Sequence, residues 1–459
     1  MNLSSPHVET TRGLSRRARR GSSPAVAVVL FLLVAAGSAR AQTVKLESGW
    51  EFLPDKTASL TVGSAAGAEG WRAARVGLSW NAQFEDLRDY MGVAWYRARF
   101  AAPELGGGRR ALLRFGAVDY FAEVYVNGKK AGEHEGGYMP FHFDVTDSLK
   151  PGANELLVRV TDPPMDEKEN LARFPSMLYK EIPHGKQNWY VQTGGIWQPV
   201  WLEVKPRVYI SDVKVFSRVD GTVGVVVRSR INMVPRTVTI EPGPKKISFV
   251  EGEPADPALR NAAGALQLGI EVRVIDPQGA SITVPPADPG TGNPYFTTKI
   301  PNPQLWSPDH PRLYTVEVKF GEDTYTDRFG FRSFEARDGK FYLNGEPYYM
   351  LAALDQDFYP ETIYTAPSEG YIRDQMLKAK RLGLNLLRCH IKVCEPSYLK
   401  IADEVGMLVW YEIPSWNDFN HFSPKAAERG EHVFRGLRPR EESDRGARHP
   451  RRGQQRVLR

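Results

Sequence analysis

Cysteine is almost absent from this chain of 459 residues, which contains only Cys389 and Cys394. Two cysteines at this spacing cannot form the disulfide framework of a small secreted domain. Zinc-type Cys/His spacing and internal repeats are missing as well. We therefore expect two buried or half-buried thiols, no metal site and no cofactor.

A membrane-spanning run is missing from the body of the chain. The longest apolar run, residues 25–36, is short for a span, which needs about 20 residues. It follows a basic segment that ends at Arg20 and precedes the small-residue cleavage site Ala39-Arg40-Ala41. This order predicts a signal peptide over residues 1–41 and a secreted or periplasmic protein without membrane contact after cleavage. An uncleaved membrane anchor is the alternative.

A basic face for nucleic acid is also missing, although the net charge is +6. Residues 1–41 carry six Arg against one Glu, and residues 434–459 carry nine Arg against three acids. Residues 42–433 are therefore acidic overall, with a net charge of −5. Nucleic acid is not an expected partner of this body.

What the sequence does contain, from Thr43 onward, is a series of short β-strands separated by Gly, Asn and Pro turns. The first group predicts a sandwich or jelly roll over 42–205, with a type I′ hairpin at Asn127-Gly128. The second group, over 206–335, has immunoglobulin-like spacing and a long loop at 242–267. The clearest predicted strands are 94–100, 110–115, 121–126, 141–145, 154–160, 201–204, 210–217, 224–231, 269–275 and 313–320.

Residues 329–416 alternate apolar runs with helical segments, and the apolar runs end in charged or aromatic residues. Ser368 and Gly383 bracket one predicted helix, and Pro396 and Gly406 bracket the next. Buried strands with charged residues at their carboxyl ends are typical of the start of a parallel α/β barrel.

Several motifs follow one another in these regions. They are Ile182-Pro183-His184-Gly185-Lys186-Gln187-Asn188-Trp189-Tyr190, Gly194-Gly195-Ile196-Trp197-Gln198-Pro199-Val200-Trp201-Leu202-Glu203, Phe329-Gly330-Phe331-Arg332, Leu343-Asn344-Gly345 and Asn385-Leu386-Leu387-Arg388-Cys389-His390. Their order and spacing resemble glycoside hydrolase family 2, which includes β-galactosidases, β-glucuronidases and β-mannosidases. The resemblance covers about residues 45–416.

The resemblance implies a multidomain β plus α/β protein. Its parts would be a galactose-binding-like jelly roll (42–205), an immunoglobulin-like β-sandwich (206–335) and the first three β/α units of a TIM barrel (336–433). Trp197 is expected to act as a wedge between domains or to seal the jelly roll alone. Relatives often form dimers or tetramers, so a homo-oligomer is a further expectation.

A carbohydrate site is expected at the carboxyl ends of the barrel strands. Arg388 and His390 are two residues apart on one strand, so their side chains point the same way. They would contact sugar hydroxyls or a catalytic carboxylate, and a structural ion pair is the alternative. The predicted substrate-binding residues are Asp355, Gln356, Asp357, Arg388, His390, Glu412 and Trp416.

The resemblance also implies retaining hydrolysis of a β-glycoside by two Glu residues on the fourth and seventh barrel strands. No Asn-Glu pair of the kind expected on the fourth strand follows Glu412. We therefore predict no catalytic residue within this chain and a positioning role for Glu412. The predicted function is an exported retaining β-glycosidase, present here as an inactive N-terminal fragment whose sugar could be a galactoside, glucuronide or mannoside.

The last 26 residues, 434–459, contain nine Arg and few apolar side chains. Such a segment cannot cover a barrel face, and we expect no strand in it. Our hypothesis is a reading-frame shift between about Pro424 and Gly436, which would leave an open, aggregation-prone barrel edge. A basic tail for an acidic partner is the alternative.

Two other functions compete with the glycosidase. A non-catalytic carbohydrate-binding protein would use the jelly roll alone. An adhesion or assembly module is disfavoured, because it would leave Arg388 and His390 without a purpose.

Overall fold

The computed structural model describes residues 42–185, 190–231, 233–240, 247–254, 269–287, 295–414, 423–437 and 456–458. The predicted signal peptide and the predicted site residue Trp416 lie outside these ranges. No helix among the described residues has both the length and the apolar character that crossing a bilayer requires.

Residues 42–205 form two antiparallel sheets, which we call the N-terminal sandwich. The six-stranded sheet has the order β3-β2-β4-β9-β6-β7, and the four-stranded sheet has the order β1-β10-β5-β8. The elements are β1 Gln42–Lys45, β2 Trp50–Asp55, α1 Val62–Ala66, β3 Arg72–Ala74, α2 Trp80–Gln83, β4 Gly92–Ala101, β5 Arg110–Phe115, β6 Phe121–Val126, β7 Lys129–Glu135, β8 Phe141–Asp144, β9 Ala153–Asp162, α3 Glu167–Arg173 and β10 Val200–Lys205.

The alternation of apolar residues determines which face of these sheets is buried. Ala122, Val124 and Val126 of β6 enter a core that both sheets share. Each predicted strand of this region is confirmed within one or two residues at each end. The hairpin at Asn127-Gly128 is confirmed too, because φ is +52° and +78° at these residues, as a type I′ turn requires.

Residues 206–333 form the second sandwich, whose two four-stranded sheets have the orders β11-β12-β18-β17 and β16-β15-β19-β20. Part of the predicted 242–267 loop is a strand instead, because Ile247–Pro254 pairs with Met233–Ile240 in a separate hairpin. The strands are β11 Val208–Ser217, β12 Thr222–Ile231, β13 Met233–Ile240, β14 Ile247–Pro254, β15 Ile270–Ile275, β16 Ser281–Thr283, β17 Pro286–Ala287, β18 Tyr295–Lys299, β19 Tyr314–Phe320 and β20 Asp323–Phe329.

The region from residue 334 onward, which we call the parallel segment, starts with a three-stranded antiparallel sheet and continues into three parallel strands, β24, β25 and β26. Helices α4 and α5 connect these strands. The elements are β21 Phe334–Arg337, β22 Lys340–Leu343, β23 Glu346–Tyr348, β24 Ala352–Asp355, α4 Glu369–Arg381, β25 Leu386–Cys389, α5 Pro396–Val405, β26 Leu408–Glu412, α6 Pro424–Leu437 and β27 Arg456–Leu458.

Local capping signals explain the helix bounds. The Ser368 side chain accepts a hydrogen bond from the Tyr371 amide at the start of α4. Pro396 occupies the first turn of α5, and Gly406 ends that helix in the left-handed conformation. Both predicted helices are confirmed.

The two edges of the parallel sheet differ. The β24 edge is uncovered among the described residues and leaves Leu354 51% exposed. The β26 edge pairs antiparallel with Arg456–Leu458, so the expectation that no strand occurs in the tail is wrong at these three residues. Pairing satisfies backbone groups that an open edge would leave unmatched. Of the rest of the predicted tail, residues 434–437 belong to helix α6, and residues 438–455 and 459 lie outside the described ranges.

Candidate functional site

The predicted site residues of the parallel sheet lie on two different faces, as the register of its strands shows. Leu354, Arg388 and Trp410 lie side by side, and Asp355, Cys389 and Tyr411 form the next row. Successive residues of a strand point to opposite faces, so the two rows face opposite ways. Arg388 therefore lies on the half-buried face, while Asp355 lies on the face covered by the helices.

Arg388 and Glu412 form an ion pair on the half-buried face. Nε and Nη2 of Arg388 lie 2.9 and 2.7 Å from Oε1 of Glu412. The backbone amide of Ile391 donates to Oε2 at 3.1 Å. Glu412 is 3% exposed and Arg388 is 33% exposed, so the carboxylate is fixed beneath a guanidinium that solvent still reaches. This is the ion pair that the sequence left as an alternative.

His390 lies at the same end of the sheet, next to Gln356. Its Nδ1 is 3.1 Å from Oε1 of Gln356, and its backbone amide donates to the Asp355 carbonyl at 3.0 Å. The residues Gln356, Arg388, His390 and Glu412 thus come together, and we call them the strand-end site.

Asp355 and Asp357 do not join the strand-end site, and their expected role as sugar contacts stays a prediction. Asp355 accepts hydrogen bonds from Tyr398 at 2.7 Å and from Gln375 at 3.0 Å. Tyr398 lies on α5 and Gln375 on α4, so this carboxylate connects the strand to the helices. Burial and the nearby Asp355 charge raise the pKa of Tyr398 well above its usual value, which keeps the phenol a donor.

Lys392 is a residue of this region that the sequence analysis missed. It is fully buried, and its ammonium lies 2.7 Å from Oδ2 of Asp357. The same ammonium donates to the carbonyls of Asp357 at 2.7 Å and of Tyr364 at 2.6 Å. Three acceptors compensate the burial of the charge and fix the turn after β24. The signal available in the sequence was a lysine between two apolar residues, Ile391 and Val393.

Cys389 and Cys394 are buried, as predicted, but the prediction that they are thiols is wrong, because the structure joins them in a disulfide. The turn from β25 into α5 brings the two side chains together. Their sulfurs and a carboxylate oxygen of Asp357 lie within 4.8 Å of one another. A metal ion does not fit this group, since the sulfurs are bonded to each other and Asp357 is paired with Lys392.

The N-terminal sandwich contacts the parallel segment beside the strand-end site. A side chain at Gly185, where φ is +65°, would collide with the Ile391 carbonyl oxygen, so glycine permits this close approach. The Tyr138 hydroxyl donates to the His184 carbonyl at 2.9 Å and also pairs with the Tyr364 hydroxyl. His184 and Gly185 therefore lie directly against the strand ends.

Trp197 packs between the N-terminal sandwich and the parallel segment, so the expectation that it acts as an inter-domain wedge is confirmed. It is fully buried in a cluster that contains Tyr138 of the sandwich and Tyr364 of the parallel segment. Its indole donates to the Gly137 carbonyl at 2.7 Å, and its own carbonyl accepts from Thr365 at 3.0 Å.

Comparisons with known proteins agree with this architecture. A family model described as "Glycosyl hydrolase 2 galactose-binding domain-like" matches residues 81–198. A second model, described as "Glycosyl hydrolases family 2", matches residues 259–332. Both matches lie within the region over which the sequence motifs resemble this family.

Curated relatives carry the names of glycosidases. A β-galactosidase from Thermoanaerobacter pseudethanolicus is 32% identical over 335 residues, which cover 72% of this chain and 40% of that protein. A β-glucuronidase from Rattus norvegicus is 28% identical over 365 residues, which cover 72% of this chain and 49% of that protein. The chain spans less than half the length of these two relatives.

A solved structure shows the same fold. The β-glucuronidase of Bifidobacterium dentium, solved in complex with coumarin-3-O-glucuronide, superposes with a TM-score of 0.66 at 22% identity and covers 86% of this chain and 65% of that one. The family models, the named relatives and the sequence motifs lead to one assignment: the chain belongs to glycoside hydrolase family 2.

Proposed function

We propose that this protein is the sugar-binding portion of an exported retaining β-glycosidase, and that the strand-end site holds the sugar. In this proposal the N-terminal sandwich is a jelly roll, and the parallel segment is the first part of a TIM barrel. Residues 1–41 would direct export. The observation that carries the proposal is the solvent-reachable guanidinium of Arg388, fixed by Glu412 next to His390.

The geometry supports binding of hydroxyl groups. A guanidinium has five N–H donors, and the Glu412 carboxylate fixes only part of this set. The remaining donors can reach sugar hydroxyls without any rearrangement of the side chain. Gln356 fixes the orientation of the His390 ring, which adds a second directed polar group. Preorganised donors of this kind lower the entropic cost of binding.

Glu412 is unsuited to be the acid/base or the nucleophile. Retaining hydrolysis needs two carboxylates about 5–5.5 Å apart, one to protonate the leaving group and one to attack the sugar. Both oxygens of Glu412 accept hydrogen bonds, and the carboxylate is almost completely buried. We infer that it orients Arg388, and that the two reacting carboxylates belong to later barrel strands. The 459-residue polypeptide should therefore bind β-glycosides without hydrolysing them.

Calorimetry with methyl β-galactoside, β-glucuronide and β-mannoside tests the proposal. His390→Ala should weaken binding of the preferred glycoside about tenfold, the loss of one or two directed hydrogen bonds. His310→Ala is the matched control, since His310 is exposed on the second sandwich. Unchanged affinity in His390→Ala would overturn the strand-end site. Robust hydrolysis of aryl β-glycosides by the purified protein would overturn the role given to Glu412.

A further inference from the structure

A cavity of about 400 Å³ opens at one end of the N-terminal sandwich, apart from the strand-end site. Asp55 at the end of β2 pairs with Val93, and Asp162 at the end of β9 pairs with Gly92. The loops that follow β2 and β9 therefore meet the loop that precedes β4. Small-molecule sites typically have volumes of about 300–1,000 Å³, so the cavity can hold a monosaccharide unit.

We call the apolar part of the cavity lining its floor. Tyr90, Pro164 and Met165 line it, and the Met165 side chain is 52% exposed despite its apolar character. The Tyr90 ring packs on the Trp80 ring with centroids 5.9 Å apart, which fixes its orientation. A Cβ at Gly92 would approach the Tyr90 hydroxyl to 3.0 Å, so the absence of a side chain there keeps the floor open.

The rim carries charges of both signs. Arg173 is held in place, because it donates to Glu169 and to the Lys56 carbonyl. The Lys56 ammonium and the Asp89 carboxylate line the same cavity and have no hydrogen-bond or ion-pair partner within the described ranges. A ligand of one charge would meet repulsion from part of this rim. A neutral polyol can accept from the cations and donate to the carboxylates at the same time.

We propose that this cavity is a second carbohydrate site that binds a neutral pyranose, with one face of the ring on the Tyr90–Met165 floor and its hydroxyls on Lys56 and Asp89. The site does not depend on the strand-end site or on any hydrolysis. A Cβ at Gly194 would collide with Trp80, so the Trp80 layer separates the cavity from the Gly194–Trp197 stretch that packs on the parallel segment. One protein molecule therefore carries both the cavity and the strand-end site, so a glycan bound in the cavity stays close to the strand-end site.

Saturation-transfer NMR with methyl β-galactoside, methyl β-mannoside and methyl β-xyloside tests the site in the full chain. Lys56→Ala/Asp89→Ala should weaken binding of at least one neutral glycoside about tenfold, the size expected for lost hydrogen bonds to charged groups. Met165→Ala should weaken the same glycoside without changing the charge of the rim. Lys129→Ala/Glu104→Ala is the control, because both residues are exposed and lie at the opposite end of the sandwich.

The outcomes separate this site from the proposed function. In the His390→Ala protein the cavity should bind its glycoside with unchanged affinity. The proposal is overturned if none of the three glycosides binds saturably, or if the Lys56→Ala/Asp89→Ala protein binds like the control. Loss of all binding in His390→Ala would also overturn it, since one site would then account for every signal. Binding of glucuronic acid or glucosamine in preference to all neutral glycosides would contradict the assigned ligand class.

Discussion

Acid should destabilise the folded protein through one histidine of the N-terminal sandwich. His184 is 3% exposed, and neither ring nitrogen has a hydrogen-bond partner among the residues that the structure describes. Its ring stacks on Tyr179 with centroids 4.1 Å apart. Burial lowers the pKa of His184 from 6.5 to about 3, because the imidazolium form would lose its hydration.

The sign and size of the effect follow from proton linkage. Between pH 6.5 and 3 the unfolded chain binds a proton at His184 that the folded chain does not bind. The free energy of unfolding therefore falls as the pH falls through this window. Linkage over the interval from pH 7 to pH 5 gives a loss of about 2 kcal/mol from this group alone.

The substitution His184→Phe tests this reasoning. Phenylalanine keeps a ring against Tyr179 and removes two buried nitrogens that have no partner in the described part of the chain, so the variant should be at least as stable as the parent at pH 7. Its unfolding free energy should fall about 2 kcal/mol less than that of the parent between pH 7 and pH 5. Urea unfolding followed by tryptophan fluorescence measures the difference, with His310→Gln as an exposed-histidine control. Equal pH dependence of parent and His184→Phe would refute the argument.

Two further substitutions probe the support of the strand-end site. Lys392→Met should cost about 3–5 kcal/mol of unfolding free energy by leaving the Asp357 carboxylate buried without its cation. The double variant Lys392→Met/Asp357→Asn should recover most of this loss in the same urea assay, and equal losses in both variants would contradict it. Trp197→Ala should cost about 3–5 kcal/mol because a large void opens between the sandwich and the parallel segment. Trp197→Phe should cost clearly less, and a thermal melt of Trp197→Ala that matches the parent would show that the wedge is unimportant.

Elements with strong local signals could be predicted from the sequence. Ser368 and Gly406 mark helix ends because capping depends on a few neighbouring residues. The Asn127-Gly128 turn is equally local. The 242–267 region shows the limit of such signals, because its Pro and Gly content suggested a loop although Ile247–Pro254 pairs as a strand.

The strand-end site could be located but not fully assembled from the sequence. Side chains of a strand point alternately to its two faces, so the sequence of one strand was enough to place Arg388 and His390 on the same face. Whether Asp355 lies on the same face as Arg388 depends on the register between β24 and β25. The sequence of neither strand alone determines that register. Lys392 escaped notice for a related reason, since its partners Asp357 and Tyr364 are 35 and 28 residues away in sequence.

The Tyr138–Tyr364 contact has a consequence for biosynthesis. The two residues are 226 positions apart, so the ribosome releases the sandwich long before the strands that pack on it. Domains generally fold as units during synthesis, N-terminal ones first. The folded sandwich is then already present when the later strand ends pack on it. A defect in the nascent sandwich should reduce the yield of molecules with a correctly formed strand-end site, even when the four side chains of that site are intact.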